Sequence, residues 1–331
     1  MDGGSLNTIS ERRSIIIVME NDSIILVTGC QGMTGSAVVR TLLEMGYKNV
    51  VGIDRDDCDL TIQDQVWKMF NKVHPDYVFH IAAKVGGINA NNTQSADFIY
   101  ENLMMQCNVI ETSRLLSVKK LIFCGSACIY PKDTPMPIKE EYLLTGKMEQ
   151  TNVAYAIAKI AGVIATQMYR KQYGCNFISA MPTNLYGIGD NFHLQDSHVL
   201  PALLRKFHEA KISNSPTVEI WGTGNPKREF LYVDDLADAL IFLMNNYNGT
   251  SHINVGTGVD IPIREVIIMI ANIVGYEGSV IWNTSYPDGV YERRLDVTEI
   301  NGLGWKAKVN LLEGLTKTYD WFLKNYNYIR K

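Results

Sequence analysis

Tyr155 and Lys159, in the run Tyr155-Ala-Ile-Ala-Lys159, are spaced so that together they could move a proton. On a helix, residues four apart share one face. A free phenol, with a pKa of about 10, is a poor acid–base at neutral pH. Bringing it to about 7 takes about 4 kcal/mol, which an ammonium ~4 Å away supplies at an effective dielectric of ~20. The same spacing occurs on solvated helix faces, so the pair needs support. Ser126 provides it: a hydroxyl just past an apolar strand, able to join the tyrosine in donating to an oxyanion. A further device lies upstream, Thr28-Gly29-Cys30-Gln31-Gly32-Met33-Thr34-Gly35, between a β-branched apolar strand and a helix. Gly29, Gly32 and Gly35, with Gln31 and Met33 among them, let the backbone approach a pyrophosphate and aim a helix N-terminus at it. The next strand ends at Asp54, where a carboxylate accepts the ribose 2′-hydroxyl of NAD. Beside it stands Arg55, able to grip the 2′-phosphate of NADP instead.

These groups need a scaffold, and the apolar pattern supplies one. Residues 23–29, 50–54, 77–81, 120–124 and 177–181 read as buried strands. Residues 33–46, 62–73, 97–116 and 155–173 have helical spacing; Val38, Val39, Leu42 and Leu43 share a face of the first, and Pro75 and Gly174 end the second and fourth. Such alternation predicts an α/β fold, a Rossmann-type doubly wound parallel sheet with helices on both faces. Ligands then bind beyond the carboxyl ends of the strands, where the glycine run, Asp54 and Ser126 all fall. After residue 185 the alternation loosens, tryptophans accumulate and Pro-Gly breaks recur. The expected division is an N-terminal extension over 1–22, polar at its start and disordered; a dinucleotide-binding domain over 23–185; and a smaller, mainly substrate-binding lobe over 186–331 with segments returning to the first domain.

Composition narrows the function. With 331 residues, a net charge of −4 and a pI near 5.9, the chain has no basic run to hold a nucleic acid. Its longest early apolar stretch, Ile15–Met19, is too short to span a membrane and lacks secretory flanks. The six cysteines include no Cys-x-x-Cys pair. Separate thiols in a reducing cytoplasm are therefore expected, with no metal site.

The ordered set of glycine loop, strand-end serine and Tyr-x-x-x-Lys resembles the extended short-chain dehydrogenase/reductases. Further segments resemble the GDP-L-fucose synthase family among them: Ala82-Ala-Lys-Val-Gly-Gly-Ile88, Gly125-Ser-Ala-Cys-Ile-Tyr-Pro131, Pro182-Thr-Asn-Leu-Tyr-Gly187, the run from Asp190 to His198, Trp221-Gly-Thr-Gly-Asn-Pro-Lys-Arg-Glu-Phe230 and Asn254-Val-Gly-Thr-Gly258. The resemblance covers about residues 24–326. It implies epimerisation of GDP-4-keto-6-deoxy-D-mannose at C3 and C5, then reduction at C4 with NADPH. It implies Tyr155, Lys159 and Ser126 for the reduction, and Cys128 and His198 for the epimerisations. To the cofactor set it adds Ala82, Pro182, Asn184, Leu185, Lys159 and His198. For the GDP-sugar it points to Lys206, Trp221, Arg228 and Asp288, with Arg293 as a further candidate.

The chemistry is coherent without the family. Epimerisation beside a ketone removes a proton from one face and returns one to the other, so it needs two acid–base groups. In an extended segment Ser126 and Cys128, two apart, would point to the same side. Helices 97–116 and 155–173 carry apolar residues beyond one stripe, Ile99, Leu103, Met104, Val109 and Ile110 on the first. That predicts a homodimer joined by a four-helix bundle, as the resemblance also implies. Two other readings stand beside this one. One is a different sugar-nucleotide epimerase, dehydratase or reductase of the same superfamily. The other is a non-catalytic nucleotide sensor, which would not need the intact tyrosine, lysine and serine.

Overall fold

The computed structural model describes residues 18–194, 197–286 and 288–329. Most of the expected disordered extension, residues 1–17, lies outside that range. At its end Met19 is 3% exposed and its N–H donates to Asn245 Oδ1 at 2.8 Å, so packed chain begins before residue 23, against the expectation for 18–22.

The first half alternates as the pattern predicts, with boundaries moved by one or two residues. In order come β1 Ile24–Thr28, α1 Met33–Glu44, β2 Asn49–Ile53, α2 Gln63–Val73, β3 Tyr77–His80, α3 Ile88–Thr93, α4 Ser95–Leu115, β4 Lys120–Cys124, α5 Val153–Tyr173 and β5 Phe177–Pro182. Every residue of β3, β4 and β5 is buried, which is why these strands read as continuous apolar runs rather than alternating ones. Gly174, at φ 72°, closes α5 by returning its N–H to the Arg170 carbonyl.

The second half supplies β6 Asn184–Tyr186, α6 Val199–Ile212, β7 Thr217–Trp221, β8 Lys227–Tyr232, α7 Val233–Asn246, β9 Ile253–Val255, β10 Asp260–Pro262, α8 Ile263–Val274, β11 Ser279–Asn283, β12 Glu292–Arg293, α9 Thr298–Gly302 and α10 Leu311–Asn325. The main sheet is parallel and runs β2-β1-β3-β4-β5-β9. Its sixth strand thus comes from beyond residue 185. Helix α7 and residues 295–305 also pack into the sheet's core. A second core gathers α6, α8, α10, β7 and β8 around Phe192, Phe207 and Phe322. Strand β8 joins the two halves: β10 lies along one side, and β12 and β6 pair with it in register at Arg228 and at Phe230–Tyr232.

Buried Lys120 ties β4 to α7. It is fully enclosed, and its ammonium donates to the carbonyls of Leu243, Met244 and Tyr247 at the C-terminal end of α7, the end that favours a cation.

Candidate active site

Five strand ends share one rim. Thr28 lies opposite both Ile53 and His80, His80 opposite Phe123, and Cys124 opposite Ala180. The segments leaving them, with the glycine loop, Asp54-Arg55, Ala82, Ser126 and Pro182–Leu185, are therefore neighbours. The chain leaves β1 for β2 on one side and places β3 on the other, and a crevice at such a reversal accepts a nucleotide.

At Gly29 and Gly35 the loop has room for backbone alone. Gly29 sits at φ +70°, and a Cβ there would lie 2.9 Å from Ala82 Cα. A Cβ on Gly35 would lie 2.0 Å from the Gly29 carbonyl oxygen. Gly32 is the N-cap of α1, with no side chain satisfying the first N–H groups, and Met33 opens the helix. Asp54 shapes the same loop, since its Oδ2 accepts the Gln31 N–H at 2.9 Å and its Oδ1 the Arg55 N–H at 2.7 Å. The Arg55 side chain is 71% exposed, with Glu101 at 3.7 Å and Asp59 at 4.0 Å. Exposed pairs of this kind contribute about 0–1 kcal/mol, so Arg55 can turn toward a 2′-phosphate at small cost. These features fit a dinucleotide: a cradle a Cβ would fill, a free helix N-terminus, and a carboxylate and guanidinium at the ribose end of β2. Pro182 is buried at the end of β5, with Asn184 and Leu185 following in β6.

Around Ser126 the local structure differs from the extended segment expected. Residues Ala127–Ile129 form a 3₁₀ turn, and Ser126 caps it, its Oγ accepting the Cys128 N–H at 3.3 Å. Capping geometry, not strand alternation, brings Ser126 and Cys128 together. Tyr155, in the first turn of α5, lies beside Ser126, Cys128 and Cys124. Its ring meets Phe98 edge-on at 6.4 Å. Lys159, one turn on, is buried and donates to the Cys124 carbonyl at 2.7 Å. Its Nζ is 5.9 Å from the Tyr155 ring centre and 4.7 Å from that of Phe123.

The expected lowering of the phenol pKa is not what this arrangement produces. Burial pushes Tyr155 well above its ordinary value, Cys128 and Cys124 act in the same direction, and only the Ser126 hydroxyl opposes them. Burial brings Lys159 itself down to about 8, and its ammonium is turned to a carbonyl. Tyr155 therefore stands protonated at neutral pH, the form a proton donor needs. His198 is the exposed N-cap residue of α6, and surrounding protein holds its pKa below the ordinary histidine value. It is neutral at pH 7, able to accept a proton and return it.

The substrate candidates form a line across the second half of the chain. Lys206 on α6 donates to the Glu219 carbonyl of β7. Two residues on, Trp221 is 64% exposed and stacks on Tyr286, ring centres 4.2 Å apart and 12° from parallel. Asp288 accepts the Thr223 N–H at 2.8 Å and its hydroxyl at 2.6 Å, which holds its carboxyl below the usual range. Arg228 lies within the field of Asp288, and Arg293 is its register partner across β8 and β12. Burial and the Arg293 charge lower Arg228, and Asp288 opposes them. Arg293 differs from the rest because its guanidinium is bonded to backbone carbonyls of the Ser126–Pro131 loop.

Sequence reasoning passed over three residues that hold this rim. Thr28 Oγ accepts the N–H groups of Ile81 and Ala82, at 3.1 and 3.0 Å, so its hydrogen goes to His80 Nδ1 at 3.0 Å. Burial, then Lys159, keeps His80 neutral with a pKa of about 3. Glu229 is fully buried; its carboxylate accepts the N–H groups of Thr257 and Gly258 at 2.7 and 2.8 Å, and of Leu295 at 2.7 Å. For Thr28 and His80 a signal was available, since each is a polar residue ending an otherwise apolar strand next to a motif; Glu229 follows Lys227 and Arg228 in β8 and shows no such contrast.

Comparison with known proteins places this geometry. Residues 25–256 match the NAD dependent epimerase/dehydratase family. GDP-L-fucose synthase 1 of Arabidopsis thaliana is 52% identical over 301 residues, 91% of this chain and 93% of the relative. The structure of a GDP-L-fucose synthetase from Naegleria fowleri bound to NADP aligns with a TM-score of 0.89 and 31% identity, covering 95% of this chain and 98% of that one. A GDP-mannoheptose C4 reductase from Campylobacter jejuni, with NADP bound, aligns with a TM-score of 0.84 and 41% identity over 92% and 99% of the two chains.

Proposed function

Since the chain belongs to the NAD dependent epimerase/dehydratase family, and within it to the GDP-L-fucose synthases, we propose that it converts GDP-4-keto-6-deoxy-D-mannose to GDP-L-fucose. The cofactor is NADP(H). The observation that carries the bifunctional reading is the meeting of Ser126, Cys128 and Tyr155 at the end of β4. A reductase alone needs the serine and tyrosine; the thiol beside them suits carbon-acid chemistry.

In the epimerisation stage Cys128, as thiolate, removes the proton at C3 or C5, and His198, once it has taken up a proton from solvent, returns one to the opposite face. The C–H bond breaks, charge moves onto the C4 oxygen, and a new C–H bond restores the ketone. Proton exchange between Cys128 and His198 through solvent resets both, so no net proton is consumed. Tyr155 and Ser126 donate to the C4 oxygen while it carries charge. In the second stage the bound NADPH supplies a hydride for C4. Tyr155 gives its proton to the C4 oxygen, Ser126 orients that oxygen, and Lys159 holds the ribose and helps reload the tyrosine. The glycine loop holds the pyrophosphate, with Asp54, Arg55, Ala82 and Pro182–Leu185 around the rest of the dinucleotide. Lys206 and Arg228 face the GDP phosphates, Trp221 offers a ring to the base, and Asp288 braces that loop. The test is incubation with GDP-4-keto-6-deoxymannose and NADPH, followed by NMR of the product. Reduction without inversion at C3 and C5 would replace this reading with that of a C4 reductase.

Cofactor choice rests on Arg55, and Arg55→Ala should lower kcat/KM for NADPH by about tenfold or more while NADH changes little, as expected for loss of one charged hydrogen-bonded contact to phosphate. Unchanged NADPH selectivity would move the 2′-phosphate contact elsewhere.

The outer faces of α4 and α5 motivate a homodimer. Ile99, Leu103 and Met104 remain half-buried, and Ile157, Met168 and Tyr173 are exposed. Pairing both helices with a second copy about a twofold axis buries this surplus. Light scattering at micromolar protein should give twice the mass of the 37.2 kDa chain; a monomer mass would refute the bundle. All six cysteines are free and among the described residues no helix is long and apolar enough to cross a membrane, which supports a cytoplasmic setting for the reaction.

A further inference from the structure

Arg293 has the residue type of a phosphate ligand but not the surroundings of one. Its Nη1 donates to the Pro131 carbonyl at 2.8 Å, and its Nη2 to the carbonyls of Ala127 and Tyr130 at 3.3 and 3.4 Å. Those oxygens belong to the turn that carries Cys128. Within the turn the bonds are local: the Ser126 cap contributes one of 3.3 Å, and the Ile129 and Tyr130 N–H groups return to the Ser126 and Ala127 carbonyls at 3.2 and 3.3 Å. From beneath, Tyr130 is held by Asn254 Oδ1 at 2.6 Å and meets His252 Nε2 at 3.0 Å. Arg293 is itself anchored from the other half of the molecule. β12 pairs with β8, the Leu295 N–H donates to buried Glu229, and Ile138 bonds to the Arg294 carbonyl at 2.8 Å. A planar fork with several donors spans carbonyls that a single ammonium cannot.

We propose that Arg293 is the positioning residue of the epimerisation stage, a strut from the substrate lobe that grips the backbone of residues 127–131 and sets where the Cys128 sulfur meets the sugar carbons. Its register partner Arg228 holds phosphate in the reading above, so adjacent strands carry the grip on the nucleotide and the grip on the base-bearing turn. Proton abstraction from carbon tolerates little misplacement, a shift of 1 Å costing on the order of 10²-fold. Hydride transfer depends on Tyr155 and Ser126, which rest on α5 and the end of β4, and it should be less affected.

The inference rests on Cys128 being an epimerisation base, a reading that fails separately if Cys128→Ser exchanges C3 and C5 protons normally. Three readouts on Arg293→Met test the strut: deuterium incorporation at C3 and C5, oxidation of GDP-L-fucose by NADP⁺, which needs no epimerisation, and the Kd for GDP. The expected result is an exchange rate lower by roughly 10²-fold, a much smaller loss in oxidation, and a GDP Kd within about threefold of wild type. Arg293→Lys, which restores a cation but not the fork, should recover only part of the exchange. A GDP Kd raised about tenfold or more with exchange at saturating substrate intact would make Arg293 a phosphate ligand and overturn the proposal. Should Arg293→Met fail to fold by circular dichroism, Arg293→Lys decides alone: full exchange at saturation refutes the strut, and impaired exchange with normal GDP affinity supports it.

Discussion

Tyr155→Phe should lower the rate of NADPH oxidation by about 10²–10⁴-fold, the range for removing a positioned general acid, while leaving NADPH affinity nearly unchanged. The phenol has Ser126 and Cys128 beside it. Burial keeps it protonated through neutral pH, so its ionisation should not limit the rate near pH 7. Lys159, with a pKa of about 8, is the group next to it whose charge changes in the mildly alkaline range. Phenylalanine preserves the edge-on contact with Phe98 and removes only the hydroxyl. Folding should survive, and single-turnover absorbance then isolates chemistry from binding. Exchange at C3 and C5 should fall less than hydride transfer, because Ser126 still donates to the enolate oxygen. A loss of under about tenfold in NADPH oxidation would mean that another group protonates the C4 oxygen.

The same tyrosine shows where sequence reading succeeds and where it stops. Five strands, four of the helices between them and the glycine turn were legible because each is local: buried parallel strands are continuous apolar runs, and the space around Gly29 and Gly35 excludes side chains. Placing Tyr155 and Lys159 on one helix face was local too. Their electrostatics was not. Whether an ammonium lowers a phenol depends on where the ammonium points, and here the Cys124 carbonyl, thirty-five residues away in sequence, captures it. Spacing alone suggests an extended Ser126–Cys128 pair, whereas the chain forms a 3₁₀ turn capped by the serine. Strand β9 was hidden because a three-residue strand has too little pattern to register. Glu229 joins segments that only the fold brings together.

The proposed mechanism lets one site run two reactions. In it Ser126 and Tyr155 serve both stages, since each needs donors at the C4 oxygen. Cys128 serves one, and its turn is tied through Tyr130 to Asn254 and through Pro131 to Arg293. That division of roles permits the two activities to be separated by a single substitution.

Cys128→Ser should lose about 10²-fold or more of the deuterium incorporation at C3 and C5 while retaining fold, NADPH binding and direct reduction of the ketone. Serine has nearly the shape of cysteine, and the bonds that hold the turn are made by backbone groups of residues 127, 128, 130 and 131, so the substitution leaves them in place. What disappears is the thiolate. A thiol gives up its proton far more readily than an alcohol, so serine offers essentially no base here. The ketone would then meet the cofactor without prior inversion, and the expected product keeps the manno configuration at C3 and C5 with C4 reduced, distinguishable by NMR coupling constants. His198→Asn should show the complementary pattern, abstraction without efficient return, so that exchange at the first position falls less than completed inversion. If Cys128→Ser incorporates deuterium at both carbons at the wild-type rate, Cys128 only packs beside Tyr155, and the base must be sought among the other groups facing the sugar, His198 first.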